Sequence, residues 1–111
     1  MELIEYQNEA NKTIPDGMKE SEVIDNAVYG VIGEVGELVD IIKKAKFQGH
    51  TLDREHAKLE LGDILWYVSE MAFGLGITLE DIAWSNISKL RARYGEKFDT
   101  LKSQHRKEGD I

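Results

Sequence analysis

The stretch from Ser21 to Lys46, SEVIDNAVYGVIGEVGELVDIIKKAK, decides the fold class. Its apolar residues Ile24, Val28, Val31, Ile32, Val35, Leu38, Val39 and Ile42 recur with the period of an α-helix. Ser21 predicts an N-cap, with Glu22 in the first turn where the helix dipole favours an anion. Lys43, Lys44 and Lys46 fill the last turn, where cations are favoured, and Gly49 predicts the stop. Upstream, Leu3 to about Lys12 predicts a short helix closed by the turn signal Thr13-Ile14-Pro15-Asp16-Gly17. Downstream, Asp53 predicts the cap of a third helix reaching about Phe73 and ended by Gly74-Leu75-Gly76. Thr78-Leu79-Glu80-Asp81 then resembles a capping box, with Asp in place of Glu or Gln, and opens a helix to about Tyr94. The mostly polar segment from Glu96 to Ile111 is expected to fray or to dock on a partner subunit. No strand alternation persists anywhere. The chain therefore reads as all-α, one domain over residues 1–111, a bundle of about four to five helices whose core is expected to be completed by dimerisation.

Composition narrows the function. Charged residues make up 32% and hydrophobic ones 41%, ordinary for a soluble chain. Fourteen basic against twenty-one acidic residues leave a net charge of −7. That argues against polymeric nucleic acid and anionic membranes, which need a basic face. A small phosphorylated ligand stays possible, because bound divalent cations invert the sign of a local site. The absence of cysteine removes disulfides, thiolate metal sites and cysteine nucleophiles. Met1-Glu2-Leu3-Ile4-Glu5 is no signal peptide, and the uncharged stretch Met71 to Leu79 is too short to span a membrane. A cytoplasmic location is the expectation.

The chemistry centres on two acidic pairs, Glu34/Glu37 and Glu60/Asp63, each spaced i,i+3 so that both acids project from one helix face. Apolar residues border both: Val31, Ile32, Val35 and Leu38 around the first, Leu59, Leu61, Ile64 and Leu65 around the second. A single acidic pair is usually a solvated helix face. Two pairs beside apolar stripes on successive helices predict that four negative charges meet against a hydrophobic core if the helices pack antiparallel. Such a cluster persists only if some carboxyls are protonated or cations neutralise them. The ligands are all hard oxygens, which suit Mg²⁺, with Mn²⁺ as a substitute.

Other residues fall into place around the acids. Lys44 lies on the face of Glu37, about 10 Å further along the axis. His56, Glu60, Asp63, Tyr67 and Glu70 share one face of the third helix, opposite a predicted core stripe of Leu61, Ile64, Leu65, Val68 and Ala72. Tyr67, one turn beyond Asp63, is a ligand-contact candidate. His56 reads as a surface residue near a helix start, and Trp66 as packing away from the acids. Asn86, Lys89 and Arg93 align on the fourth helix, where snorkelling is the ordinary explanation for the two cations. Gly30, Gly33 and Gly36 cost roughly 1 kcal/mol each inside a helix, which predicts either close helix packing or room for a ligand.

Taken together, Glu34-x-x-Glu37, a twenty-two-residue spacer and Glu60-x-x-Asp63 resemble the signature of MazG-like, all-α nucleoside triphosphate pyrophosphohydrolases. The resemblance extends through Gly33-Glu34-Val35-Gly36-Glu37-Leu38, Ile42-Lys43-Lys44-Ala45, Glu60-Leu61-Gly62-Asp63-Ile64-Leu65-Trp66-Tyr67 and Asn86-Ile87-Ser88-Lys89-Leu90-Arg91-Ala92-Arg93-Tyr94, about residues 20–98. It implies Mg²⁺-dependent hydrolysis of a nucleoside triphosphate to the monophosphate and pyrophosphate. It implies metal binding by Glu34, Glu37, Glu60 and Asp63, and substrate contacts by Lys44, Tyr67, Asn86, Lys89 and Arg93. It also implies a homodimer or a tetramer built from dimers. On that reading Lys44, Lys89 and Arg93 grip the distal phosphates, and Glu37 or Glu34 takes a proton from water.

Three alternatives compete. A phosphoribosyl-ATP pyrophosphohydrolase would share fold and metal motif. A non-catalytic helical module would merely solvate the acids. A di-metal redox bundle is disfavoured, because neither Glu34 nor Glu60 has His three residues later.

Overall fold

A computed structural model describes residues 1–95. The described residues are all-α: α1 Leu3–Asn11, α2 Glu20–Phe47, α3 Arg54–Leu75 and α4 Leu79–Tyr94. The polar segment from Glu96 to Ile111, expected to fray or to dock on a partner subunit, lies outside them. The chain divides into two compact units, residues 1–78 and residues from 79 onward. In the first unit α3 is the common partner, packing against both α2 and α1.

Local chemistry fixes the boundaries. α2 starts at Glu20, two residues earlier than a Ser21 cap would place it. Lys19 takes the cap position, and its backbone N–H donates to Glu22 Oε1 at 3.2 Å, so Glu22 fixes the start. At the other end Gly49 adopts a positive φ of 75°, which lets the His50 N–H reach back to the Lys44 carbonyl at 3.1 Å. Asp53 caps α3 as expected, accepting from the His56 N–H at 3.0 Å. That helix runs through Gly74 to Leu75 and stops only at Gly76, whose φ of 70° breaks it. Gly74 stays helical because it packs against α2: a Cβ there would lie 2.9 Å from Ile24 Cγ1.

α2 and α3 form an antiparallel hairpin. Gly74 meets Val23 and Ile24, Asn26 meets Glu70, and Gly30 meets Tyr67. Val23, Ala27, Ile41 and Ala72 are buried. α1 runs antiparallel along α3, pinned at two places. Gln7, buried, donates through Nε2 to the Ile77 carbonyl at 3.1 Å, and Trp66 Nε1 donates to Thr13 Oγ1 at 2.7 Å.

The apolar stripes do not fill this core as expected. α3 presents Tyr67, Glu70 and Gly74 to α2, while Leu61 and Leu65 of the predicted core stripe are exposed. On α2, Val28, Ile32, Val35, Val39 and Ile42 are likewise exposed. Close approach of the two helices uses glycines, alanines and short polar links, and it leaves the branched side chains on the outside. Of the three glycines inside α2, only Gly30 stands against a neighbour; Cβ atoms at Gly33 and Gly36 would meet nothing.

α4, in the second unit, keeps Ile82 and Leu90 half-buried and exposes Asn86 and Lys89. It ends as predicted, with the Gly95 N–H on the Arg91 carbonyl at 2.9 Å.

Candidate metal centre

Two helices supply the acids. Glu34 lies about four turns into α2 on the side that meets α3, and Glu60 and Asp63 lie a turn apart on α3. The antiparallel register brings one carboxylate oxygen from each of Glu34, Glu60 and Asp63 within 4.8 Å of one another. Glu34 and Glu60 are half-buried, and Asp63 opens to solvent.

The crowding has an electrostatic signature. The Glu34 carboxyl is pushed up to about 7 from its ordinary 4.5. The largest cause is a hydrogen bond with Glu60, which requires a proton between two carboxyls. Burial adds to it, and then the charges of Glu60, Asp63 and Glu37. Besides the proton it shares with Glu34, Glu60 has one standing side-chain donor. His56 Nε2 donates to its Oε1 at 3.2 Å, while Oε2 is buried and has no standing hydrogen-bond donor. A proton or a cation must satisfy that oxygen. An all-carboxylate set with one unsatisfied buried oxygen fits a hard divalent cation.

The fourth acid stands apart. Glu37 is exposed and is not part of the 4.8 Å cluster. It lines a neighbouring cavity of about 240 Å³ with Asp40, Lys44, His50, Asp53 and His56. Residue 37 sits about 60° around the helix from residue 34, enough to turn it from the α3 face. Its charge still reaches Glu34. Lys44 lies in that same cavity, paired with Asp40 at 3.0 Å.

On the other side of the acids, Glu34, Asp63, Trp66 and Tyr67 line an open cleft of about 350 Å³. The Trp66 and Tyr67 rings meet edge-on, with centroids 5.1 Å apart and planes at 88°. Tyr67 stands where the sequence places it. Trp66 does not point away from the acids: it is about 60° around α3 from Asp63 and shares its cleft. Tyr6 of α1 also senses the centre; burial raises its hydroxyl pKa first, and the negative charge of Asp63 raises it further. No pattern in the short first helix announces that residue. His56 was legible in principle, since it precedes Glu60 by four residues, but its role needed the geometry. Arg93 holds its guanidinium over the Tyr94 ring at 5.6 Å, within α4.

Comparison with known proteins identifies the family. A family profile described as the MazG nucleotide pyrophosphohydrolase domain matches residues 24–98. A relative, the gene 37 protein of Mycobacterium phage L5, is 31% identical over 96 residues, covering 79% of this chain and 84% of its own. No solved structure matches the chain. No helix among the described residues is long and apolar enough to cross a membrane. With four helices, no strand among the described residues, and acids at Glu34, Glu60 and Asp63 converging from α2 and α3, this chain belongs to the MazG nucleotide pyrophosphohydrolase family.

Proposed function

We propose that this protein hydrolyses a nucleoside triphosphate to the monophosphate and pyrophosphate, as one step of nucleotide-pool control. The observation that carries the reading is the cluster of Glu34, Glu60 and Asp63, three hard ligands held by two helices at a spacing one cation can satisfy. Bound Mg²⁺ (Mn²⁺ as substitute) would supply polarisation of the phosphate oxygens and neutralisation of charge on the departing pyrophosphate. Glu34, Glu60 and Asp63 would hold it, and Glu37 is assigned to the same set from the family resemblance alone.

The remaining steps belong to the chain. A water attacks the α-phosphorus in line, the α–β bridging bond breaks, and its electron pair leaves with pyrophosphate. The water's proton passes to a carboxylate, Glu37 or Glu34. Lys44 exchanges its pairing with Asp40 for a phosphate oxygen of the substrate. Tyr67, on the wall of the cleft shared with Glu34 and Asp63, contacts the substrate directly. Asn86, Lys89 and Arg93 are assigned as substrate contacts from the family resemblance of the α4 sequence.

We also infer a homo-oligomer, a dimer or a dimer of dimers, because a stripe of branched apolar side chains on α2 is left open.

A panel of ribo- and deoxyribonucleoside triphosphates with Mg²⁺ tests the reading. Monophosphate plus pyrophosphate is the expected product pair; diphosphate plus orthophosphate would refute attack at the α-phosphorus. Asp63→Asn and Glu37→Gln are expected to lower turnover by about 10²–10⁴-fold with helicity and melting temperature kept near wild type. Full activity in both removes the site.

A further inference from the structure

His56 lies in the first turn of α3, where Asp53 Oδ1 holds its backbone N–H at 3.0 Å. One turn on, its Nε2 donates to Glu60 Oε1 at 3.2 Å. The two partners differ sharply in exposure: the His56 side chain is 50% accessible and that of Glu60 only 12%. A surface imidazole thus grips a carboxylate sunk between two helices. His56 engages Oε1 only, and the buried Oε2 is left to the side of the other acids.

His56 is not one of the residues whose ligand atoms converge; that group holds Glu34, Glu60 and Asp63. Its effect must therefore pass through Glu60. Glu60 faces two other carboxyls, and repulsion among them favours rotamers that swing its carboxylate away. A glutamate has three side-chain torsions with which to do so. A donor fixed to the same helix opposes that motion by holding one oxygen, and it leaves the other directed for use.

We propose that His56 is a positioning residue that orients Glu60 for a divalent cation shared with Glu34 and Asp63. The proposal rests on the reading of those three acids as a cation site. A plain helix-surface pair makes a different demand: it adds slightly to α3 whether or not a cation is present, and it leaves cation affinity unchanged.

The test is Mn²⁺ affinity without nucleotide, read from the free-Mn²⁺ paramagnetic resonance signal, in wild type, His56→Ala, His56→Gln and Asp63→Asn. His56→Ala is expected to weaken Mn²⁺ binding by about 10–100-fold. His56→Gln, whose side-chain amide also donates, is expected to recover most of that loss. Both variants should melt within a few degrees of wild type when metal-free, since the imidazole is half exposed. Unchanged affinity in His56→Ala, or an equal loss in His56→Gln, overturns the positioning role. If His56→Ala binds normally while Asp63→Asn does not, the cation site stands and only the role of His56 falls. If wild type and Asp63→Asn bind alike, or wild type does not bind, the cation reading fails and His56 with it.

Discussion

A side chain on Gly30 would overlap the aromatic ring of Tyr67. Gly30 is thus a slot in α2, and the ring that fills it belongs to the residue beside the acid cluster on α3. The pair sets how closely the two helices approach next to Glu34, one turn further along α2. Tyr67 also meets Trp66 edge-on, and Trp66 holds Thr13. The slot, the ring pair and the turn after α1 therefore form one connected wall.

Gly30→Ala should expose this dependence. Alanine improves helix propensity by about 1 kcal/mol, but the overlap with Tyr67 is expected to cost about 1–3 kcal/mol. A lower melting temperature and a raised KM are expected in Gly30→Ala. In a Tyr67→Ala background the same substitution should instead raise the melting temperature, because the clash has gone. Thermal melts of the four proteins check both signs.

The raised carboxyl of Glu34 fixes a pH dependence for the metal-free protein. Its folded value is about 7 against an ordinary 4.5, so between those values the folded chain holds a proton that the unfolded chain has released. Stability from this group therefore falls as pH rises from about 4.5 to about 7 and levels off above. Glu34→Gln should flatten that slope in melts across pH 5 to 8. Mg²⁺ should remove the penalty where it is largest, at and above pH 7, adding about 2.7 kcal/mol at a hundredfold excess over its Kd. Binding near pH 7 should also release protons, seen by calorimetry in buffers of different ionisation enthalpy.

Glu70 carries a buried carboxylate that stands outside the acid cluster. It is 1% exposed, and Asn26 Nδ2 donates to both of its oxygens at 2.9 and 3.0 Å. Asn26→Ala leaves that group unpaired and is expected to cost about 1–3 kcal/mol in urea unfolding. Asn26→Leu with Glu70→Met removes both polar partners and should stay near wild type. Mn²⁺ affinity should be unaffected in either variant.

The open stripe on α2 makes an assembly prediction. Val28, Ile32, Val35, Val39 and Ile42 are spaced by alternating fours and threes, a coiled-coil seam, yet each is at least 42% exposed. A second copy of the chain is expected to cover it. Ile32→Glu with Val39→Glu should lower the mass measured by light scattering to that of the monomer. A wild-type monomer at the same concentration would contradict the assembly.

Much of the site was readable in the chain order. The i,i+3 spacing put Glu60 and Asp63 on one face, and an antiparallel hairpin carries Glu34 to them. Glu37 escaped that logic because convergence depends on the rotation of α2, and the rotation is set by Gly30, Ala27 and Gly74 at the helix contact. The same rotation turned Leu61 and Leu65 outward and buried Glu70, while Ala72 of the expected core stripe is buried and Ile64 and Val68 are half-buried. Trp66 was misplaced because a helical wheel gives a direction but no side-chain reach.

Sequence by itself determined the helices, their ends at Gly49, Gly76 and Gly95, and the identity of the acids, since these follow from local backbone preference and periodicity. Only tertiary structure decided which acids meet, that His56 holds Glu60, and that Gly30 admits Tyr67. Those depend on how two helices are rotated about their axes and how closely they approach. Small residues distributed along both helices set that geometry together, so no single motif encodes it.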